Sequence, residues 1–288
     1  MITPTLHQAE NEAALKIASQ HYENFPVSPF FFPKNIRQPI ALIYAFARFA
    51  DDIADEGQMT PPQRLNALQN MQNQLDHARH TPLDPFFIAL HDMIKTHHLP
   101  IELFSDLLKA FTQDCTKNRY HNFQEVLDYC RYSANPIGRL VLYLTGNFTP
   151  ENAQYSDKIC TALQLINFLQ DFNEDFKKRN RIYLPLPELH EYGITEEIIA
   201  FQKHHANLQT LMLLQLNRIK TLASEGRPLT RKLKGWSGLD IRLIFAALQQ
   251  MILLLHKRSD PYQRPRLHKK DWIKIITVAI TSPAFQLV

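Results

Sequence analysis

The sequence of 288 residues predicts an all-α fold in one domain, residues 1–288. Three observations predict it. Long segments carry apolar residues at three- and four-residue spacing. No stretch keeps up a two-residue alternation. The chain has only 7 glycines, few for an all-β fold with many tight turns or for glycine-rich nucleotide loops. No repeat and no linker divides it, so one helical bundle is expected.

The segments follow in order. Ile36 to Asp55 is opened by Pro33 and Lys34. Pro61 to Ala78 and Pro85 to Thr96 each begin on proline, which suits a first helical turn. Ile101 to Asp114 sets Leu103, Leu107, Leu108 and Phe111 on one face. Phe123 to Leu144 is long, with a kink expected at Pro136. Glu151 to Phe176 is a second long helix. Glu196 to Ser224, Asp240 to Lys257 and the short Asp271 to Ile280 complete the set. Glu225 to Gly238, with Arg227, Arg231, Lys232 and Lys234, reads as a solvated basic loop, with a lid or membrane-facing flap as the alternative.

Composition bounds the function. The chain is 45% hydrophobic with a net charge of +4 and a pI near 8.9. A mildly basic balance suits an anionic substrate or membrane surface. The three cysteines, Cys115, Cys130 and Cys160, form no CxxC pair, as in a reducing cytoplasm. No apolar signal segment opens the chain. The longest apolar run, Leu243 to Leu255, is too short to span a bilayer, which needs ~20 residues. A peripheral membrane contact stays compatible with a lipid substrate. P-loop, GxGxxG, GxSxG and HExxH patterns are absent, and zinc is disfavoured.

Two acid ladders carry the chemistry. The first runs Arg48-Phe49-Ala50-Asp51-Asp52-Ile53-Ala54-Asp55-Glu56. Asp51 and Asp55 lie one turn apart on one helical face, with a rise of ~6 Å between them. Carboxylates so placed repel unless a cation lies between them. Acids at a helix C-terminus also oppose the macrodipole. In the second ladder Gln164, Asn167, Asp171 and Asp175 line one face of an otherwise apolar helix. Such a stripe is costly to bury without partners. The alternatives are a charged helix end for the first and a buried hydrogen-bond network for the second. Oxygen ligands at this spacing suit Mg²⁺, which bridges to substrate phosphates. Arg48 and Arg181 are the candidate phosphate donors.

These residues resemble the squalene/phytoene synthase family of all-α isoprenoid synthases. Its first motif, an aromatic stretch ending in Arg before DxxxD, stands here as Tyr44-Ala45-Phe46-Ala47-Arg48 to Asp55. Its second, QxxNxxxDxxxD followed by RIYLP, stands as Gln164 to Asp175 and Arg181-Ile182-Tyr183-Leu184-Pro185. Asp114 to Tyr120, Tyr129-Cys130 and the terminal RPRLHKKDW also match, so the resemblance covers essentially the whole chain. It implies a helical bundle with a central cavity. Within the family, Glu23 to Val27, Ser133 to Leu140 and Asn167 to Asp171 are most similar to the hydroxysqualene-forming branch of bacterial hopanoid biosynthesis. Condensing relatives typically carry Arg where Gln170 stands, and losing it weakens the case for a second diphosphate site.

The resemblance implies a Mg²⁺-dependent ionisation of presqualene diphosphate, rearrangement and capture by water. Asp51, Asp55, Asn167, Asp171 and Asp175 are the implied metal ligands. Arg48, Gln164, Arg181, Tyr183, Tyr44, Tyr129, Asn135, Tyr120 and Asp114 are the implied substrate contacts. Phe25, Phe46, Phe168 and Tyr129 are implied as cation-shielding walls, with plain core packing the favoured alternative for any single one of them, and Asn135, Tyr120 or Glu23 as the group that places water. The implied partners are an isoprenoid diphosphate handed over by a presqualene diphosphate synthase, and no nucleic acid. A cytoplasmic enzyme peripheral to the inner membrane is expected. The alternatives are a condensing presqualene, squalene or phytoene synthase, and a non-catalytic assembly factor of the same fold.

Overall fold

The computed structural model describes residues 33–76 and 84–281. Glu23 to Val27, with Phe25, lie outside them. Among the described residues there are fourteen helices and no strand, in agreement with the all-α expectation. The helices are α1 (Lys34–Asp55), α2 (Pro61–Leu75), α3 (Pro85–Thr96), α4 (Glu102–Asp114), α5 (Phe123–Ser133), α6 (Asn135–Leu144) and α7 (Pro150–Gln170). They continue with α8 (Phe172–Arg179), α9 (Leu186–Glu191), α10 (Glu196–Ala200), α11 (Ala206–Gly226), α12 (Leu229–Lys232), α13 (Gly235–Lys257) and α14 (Lys269–Thr281).

Local chemistry sets several starts. Thr60 caps α2 in a reciprocal box with Gln63, and Pro61 follows; the box satisfies two otherwise orphaned backbone donors. Asp84 accepts from the Phe86 amide at 2.8 Å ahead of Pro85. Asn122 accepts from the Glu125 amide at 2.9 Å and starts α5.

Four expectations about the segments are corrected. The kink foreseen at Pro136 is a full break. Ala134 leaves helical geometry at φ −120°, ψ −44°, and the chain restarts at Asn135, so Pro136 falls in a first turn where its missing N–H costs nothing. Glu151 to Phe176 divides at Asp171, which takes φ −99°, ψ 10°. Glu196 to Ser224 divides after Ala200, where Gln202 adopts a left-handed φ of 49° and the amides of Gln202 and Lys203 turn back onto Ile199 and Ile198. Such a turn ends a helix by satisfying its last carbonyls. The expected basic loop, Glu225 to Gly238, holds α12 and the start of α13. Gly226, Leu229, Thr230, Leu233, Ser237 and Gly238 within it are buried, so the segment is anchored.

The chain packs as two compact units. Unit 1 takes the described residues up to Thr116 together with Pro136–Thr149. Its core surrounds Phe46, which is fully enclosed and meets Phe104 and Phe87 edge-on at 5.3 and 6.3 Å. Of the two readings open for Phe46, cavity wall and plain core packing, the structure places it in that core. Leu42, Leu68, Leu75, Leu90, Leu107 and Leu140 pack in the same cluster.

Unit 2 comprises Lys117–Asn135 and the described residues from Pro150 onward. Its centre is α7 against α11, with α13 against both and α14 along α13. Gly226 marks the closest approach: a Cβ there would stand 2.6 Å from Ile159 Cγ1 and 2.9 Å from the Tyr155 carbonyl oxygen. The apolar run at Leu243 to Leu255 belongs to the 23-residue α13, whose length and mean hydropathy of 1.6 meet the composition of a spanning helix. Phe245, Leu248, Met251, Ile252 and Leu255 on it are buried within the unit. Both tryptophans of the chain, Trp236 and Trp272, lie in this unit, on α13 and α14.

Candidate active site

The residues singled out in the sequence divide between the units. Among the described residues unit 1 carries Tyr44, Phe46, Arg48, Asp51, Asp55 and Asp114, and unit 2 carries Tyr120, Tyr129, Asn135, Gln164, Asn167, Phe168, Asp171, Asp175, Arg181 and Tyr183.

In unit 1 the ladder occupies the last two turns of α1. Arg48 points down the helix onto the acids that follow it. Its Nη1 meets Asp51 Oδ2 at 3.0 Å and its Nη2 meets Asp52 Oδ1 at 2.6 Å. One guanidinium thus offsets two carboxylates within a single turn. All three side chains keep 29 to 43% of their surface exposed, so water shares the work of screening. Tyr44, Asp55 and Asp114 are half-buried.

In unit 2 the second ladder follows the end of α7 into α8. The break at Asp171 leaves the register intact, because the Asp171 amide donates to Asn167 O and the Asp175 amide to Asp171 O, both at 2.8 Å. Gln164 and Asn167 are half-buried. Asn167 Oδ1 is enclosed and accepts no hydrogen bond. Asp171 keeps 17% of its side chain exposed and is gripped by Arg264, whose Nη2 donates to Asp171 Oδ2 at 3.2 Å while its Nε faces Oδ1. Burial raises the Asp171 carboxyl above the usual carboxylate range, and the Arg264 guanidinium only partly offsets this. Asp175 lies 3.4 Å from Arg179 Nη1.

Beside this ladder is an apolar recess within unit 2. Phe123, Leu165, Phe168, Leu169, Phe172 and Ile219 line it, with Tyr183, and its charged lining residues are Asp175 and Arg181. Arg181 is 6% exposed, and its amide donates to Asp175 O at 3.1 Å. A clamp fixes this corner. Arg119 donates to both carboxylate oxygens of Glu196 at 2.7 Å, to Asn180 Oδ1 at 2.8 Å and to the Asn118 carbonyl at 2.8 Å. It also reaches the Asn180 carbonyl. Asn180 caps α8 in the left-handed region, φ 52°, a geometry asparagine tolerates better than most residues. The chain beyond runs alongside 118–120, with the Ile182 amide on Asn118 O at 3.1 Å and the Leu186 amide on Tyr120 O at 2.8 Å.

The pairing brings four aromatic rings together. Tyr183 stacks on Phe168 at 3.6 Å with the planes 5° apart, and on Tyr120 at 5.5 Å; Tyr129 leans on both Phe168 and Tyr183 at 5.9 and 5.7 Å. Tyr120 is wholly enclosed. Asn135 is also buried, its Oδ1 accepting from Thr161 Oγ1 at 3.0 Å.

Among the described residues no three His, Cys, Asp or Glu side chains converge to chelate a metal. The donors present nevertheless suit a hard cation. The enclosed, unsatisfied Asn167 Oδ1 and the Asp171 carboxylate one turn on are oxygen ligands of the kind Mg²⁺ takes, alongside water and phosphate. Arg264, Arg119, Gln215 and Glu188 escaped the sequence reading. Gln215 donates to Glu188 at 2.5 Å and Arg218 binds the same carboxylate at 2.8 and 2.9 Å, tying α9 to α11. Their partners lie tens of residues away, so no local spacing announces them.

Comparison with known proteins places the chain. The squalene/phytoene synthase family profile matches residues 18–272. A hydroxysqualene synthase of Zymomonas mobilis is 32% identical over 96% of this chain and 93% of the relative. One from Rhodopseudomonas palustris is 35% identical over 87% and 85%. The crystal structure of squalene synthase HpnC from Alicyclobacillus acidocaldarius aligns with a TM-score of 0.80 at 32% identity, covering 91% of this chain and 98% of that one. A dehydrosqualene synthase in complex with ligand shares the fold, with a TM-score of 0.77 at 20% identity. On its fold, its two acid motifs and these relatives, the chain belongs to the squalene/phytoene synthase family.

Proposed function

We propose that this protein is a hydroxysqualene synthase acting on presqualene diphosphate. The observation that carries the reading is the recess of unit 2: a hydrocarbon-lined pocket whose charged groups are one carboxylate and one buried guanidinium. That is the lining expected for a long apolar substrate with a diphosphate head. The identity to hydroxysqualene synthases over most of the chain supports the product class.

In this reading Asp51 and Asp55 in unit 1, and Asn167, Asp171 and Asp175 in unit 2, would each serve as oxygen ligands to Mg²⁺, which when bound supplies positive charge to a departing diphosphate. In unit 2 Arg181 donates charge-assisted hydrogen bonds to the diphosphate's non-bridging oxygens, with Gln164 as a further substrate contact; in unit 1 Arg48 is the phosphate donor, with Tyr44 and Asp114 as substrate contacts. The C–O bond breaks with its electron pair leaving on diphosphate. The cyclopropylcarbinyl cation rearranges against the ring cluster of Phe168, Tyr183 and Tyr129, which lacks a basic group to quench it. Water adds to the cation and loses a proton, giving hydroxysqualene and diphosphate. Asn135 and Tyr120 remain the candidates for placing that water. The three cysteines are thiols and form no disulfide, as suits a cytoplasmic enzyme, and presqualene diphosphate would reach it from the synthase that makes it or from the inner-membrane surface.

A second reading is a reductive enzyme that forms squalene, the activity for which the HpnC structure is named. It differs only in quenching the cation with hydride from a nicotinamide cofactor. Supplying farnesyl diphosphate and presqualene diphosphate separately, with and without NADPH, separates the two. Hydroxysqualene from presqualene diphosphate without NADPH is the expected product. Squalene formed only with NADPH, or any product from farnesyl diphosphate alone, overturns the assignment.

A further inference from the structure

The segment after α13 is fastened to the end of α7 at consecutive residues. Arg258 Nη1 donates to the Leu169 carbonyl at 2.9 Å, and Gln170 Nε2 donates to the Pro265 carbonyl at 2.9 Å. Arg258 and Gln170 are 7% and 6% exposed, so both bonds are protected from water. The pyrrolidine of Pro265 restricts the residue before it to extended geometry. That residue is Arg264. Fixing the Pro265 carbonyl therefore fixes the root of the side chain that reaches Asp171 and, at 3.9 Å, Glu174.

An oxygen of Asp171 that faces a guanidinium is not open to a divalent cation at the same moment. Both partners of the pair are mostly buried, so the exchange is not diluted by solvent as it is for an exposed pair. We propose that Gln170 is a positioning residue. By holding Pro265 it seats Arg264 on Asp171 as a resident counter-cation, and it thereby sets how readily a divalent metal claims that carboxylate. The inference rests on the reading of Asp171 as a metal ligand. It gives Gln170, which stands where condensing relatives typically carry Arg, a task distinct from binding a second diphosphate.

The test is a titration of the full chain with Mn²⁺, followed by electron paramagnetic resonance, with and without inorganic diphosphate. Gln170→Met and Arg264→Met are each expected to bind Mn²⁺ alone about tenfold more tightly, the scale of effects from residues that orient metal ligands. The double variant is expected to bind no more tightly than either single one. With inorganic diphosphate present the gain should shrink, because Arg264 released from Asp171 has an anion to pair with. If Gln170→Met fails to fold, Gln170→Asn keeps a buried amide but withdraws it by one methylene, and is expected to shift binding in the same direction. Asp171→Asn separates the two claims. Unchanged Mn²⁺ binding in that variant overturns the ligand role of Asp171 and this inference with it. Weakened binding there, with Gln170 variants like wild type or additive with Arg264→Met, overturns the positioning role alone.

Discussion

The two acid ladders solve one electrostatic problem in opposite ways. In unit 1 the cation is local: Arg48 is three and four residues from its acids and the triad is partly exposed. In unit 2 the cation comes from 93 residues away, and the pair is mostly buried. The first arrangement costs little to make or break, because water screens whichever charge is left. The second is tied to tertiary structure, and removing one partner strands a charge in a poorly solvated place. The difference teaches that the same motif, acids at four-residue spacing, can be partly solvated in one unit and built in within another.

The largest effect should erase the comparison. Asp51→Ala and Asp171→Ala are each expected to lower turnover by about three orders of magnitude, the several kcal/mol a bound metal contributes to a departing anion. The far-UV circular dichroism should stay helical. Retained turnover in either would remove that ladder from the chemistry.

Stability should then separate the ladders. Arg264→Met is expected to cost about 2 kcal/mol in urea unfolding, whereas Arg48→Met should cost under about 1 kcal/mol. Equal losses would mean that burial does not distinguish them.

A pH series sharpens the contrast on the unit 2 side. Burial raises Asp171, and it pushes Asp240 up to about 7. A carboxyl whose folded pKa exceeds its unfolded value of about 3.9 leaves the folded state holding more protons between those limits. Its contribution is full at low pH and is lost as pH rises through the folded value. The urea midpoint should therefore fall from pH 5 to pH 8, and Asp240→Asn should flatten most of that slope. An unchanged slope in the variant would assign the pH dependence to other groups. The smallest effect is ionic. In 1 M salt the Arg48→Met penalty should nearly vanish, because the screening length drops to about 3 Å, while the Arg264→Met penalty persists.

The sequence made the local half of this legible. The starts read at Pro61 and Pro85 are the first residues of α2 and α3, and α3 runs Pro85–Thr96 as the pattern predicts. Arg48, Asp51 and Asp55 are readable because an α-helix places them by spacing alone. The break at Asp171 was not readable, since Leu165, Phe168, Phe172 and Phe176 keep helical spacing across it, and the break beyond Ala200 was marked only by the polar run Gln202-Lys203-His204-His205. Arg264 was visible only as a letter in RPRLHKKDW. Nothing in its neighbours says that it reaches Asp171, because that pairing exists only once α13 has delivered the chain back to the end of α7. The stack of Phe168 on Tyr183 is hidden for the same reason.

The placement of Trp236 and Trp272, both in unit 2, has an optical consequence. Tryptophan emission from this protein reports on one unit alone, whereas far-UV ellipticity sums the helices of both. The molecule therefore carries a one-sided lamp. If the two units melt together, the fluorescence and ellipticity curves will superimpose; if unit 1 loosens first, ellipticity will fall while the lamp stays steady. A single unlabelled sample can thus tell which ladder loses its scaffold before the other.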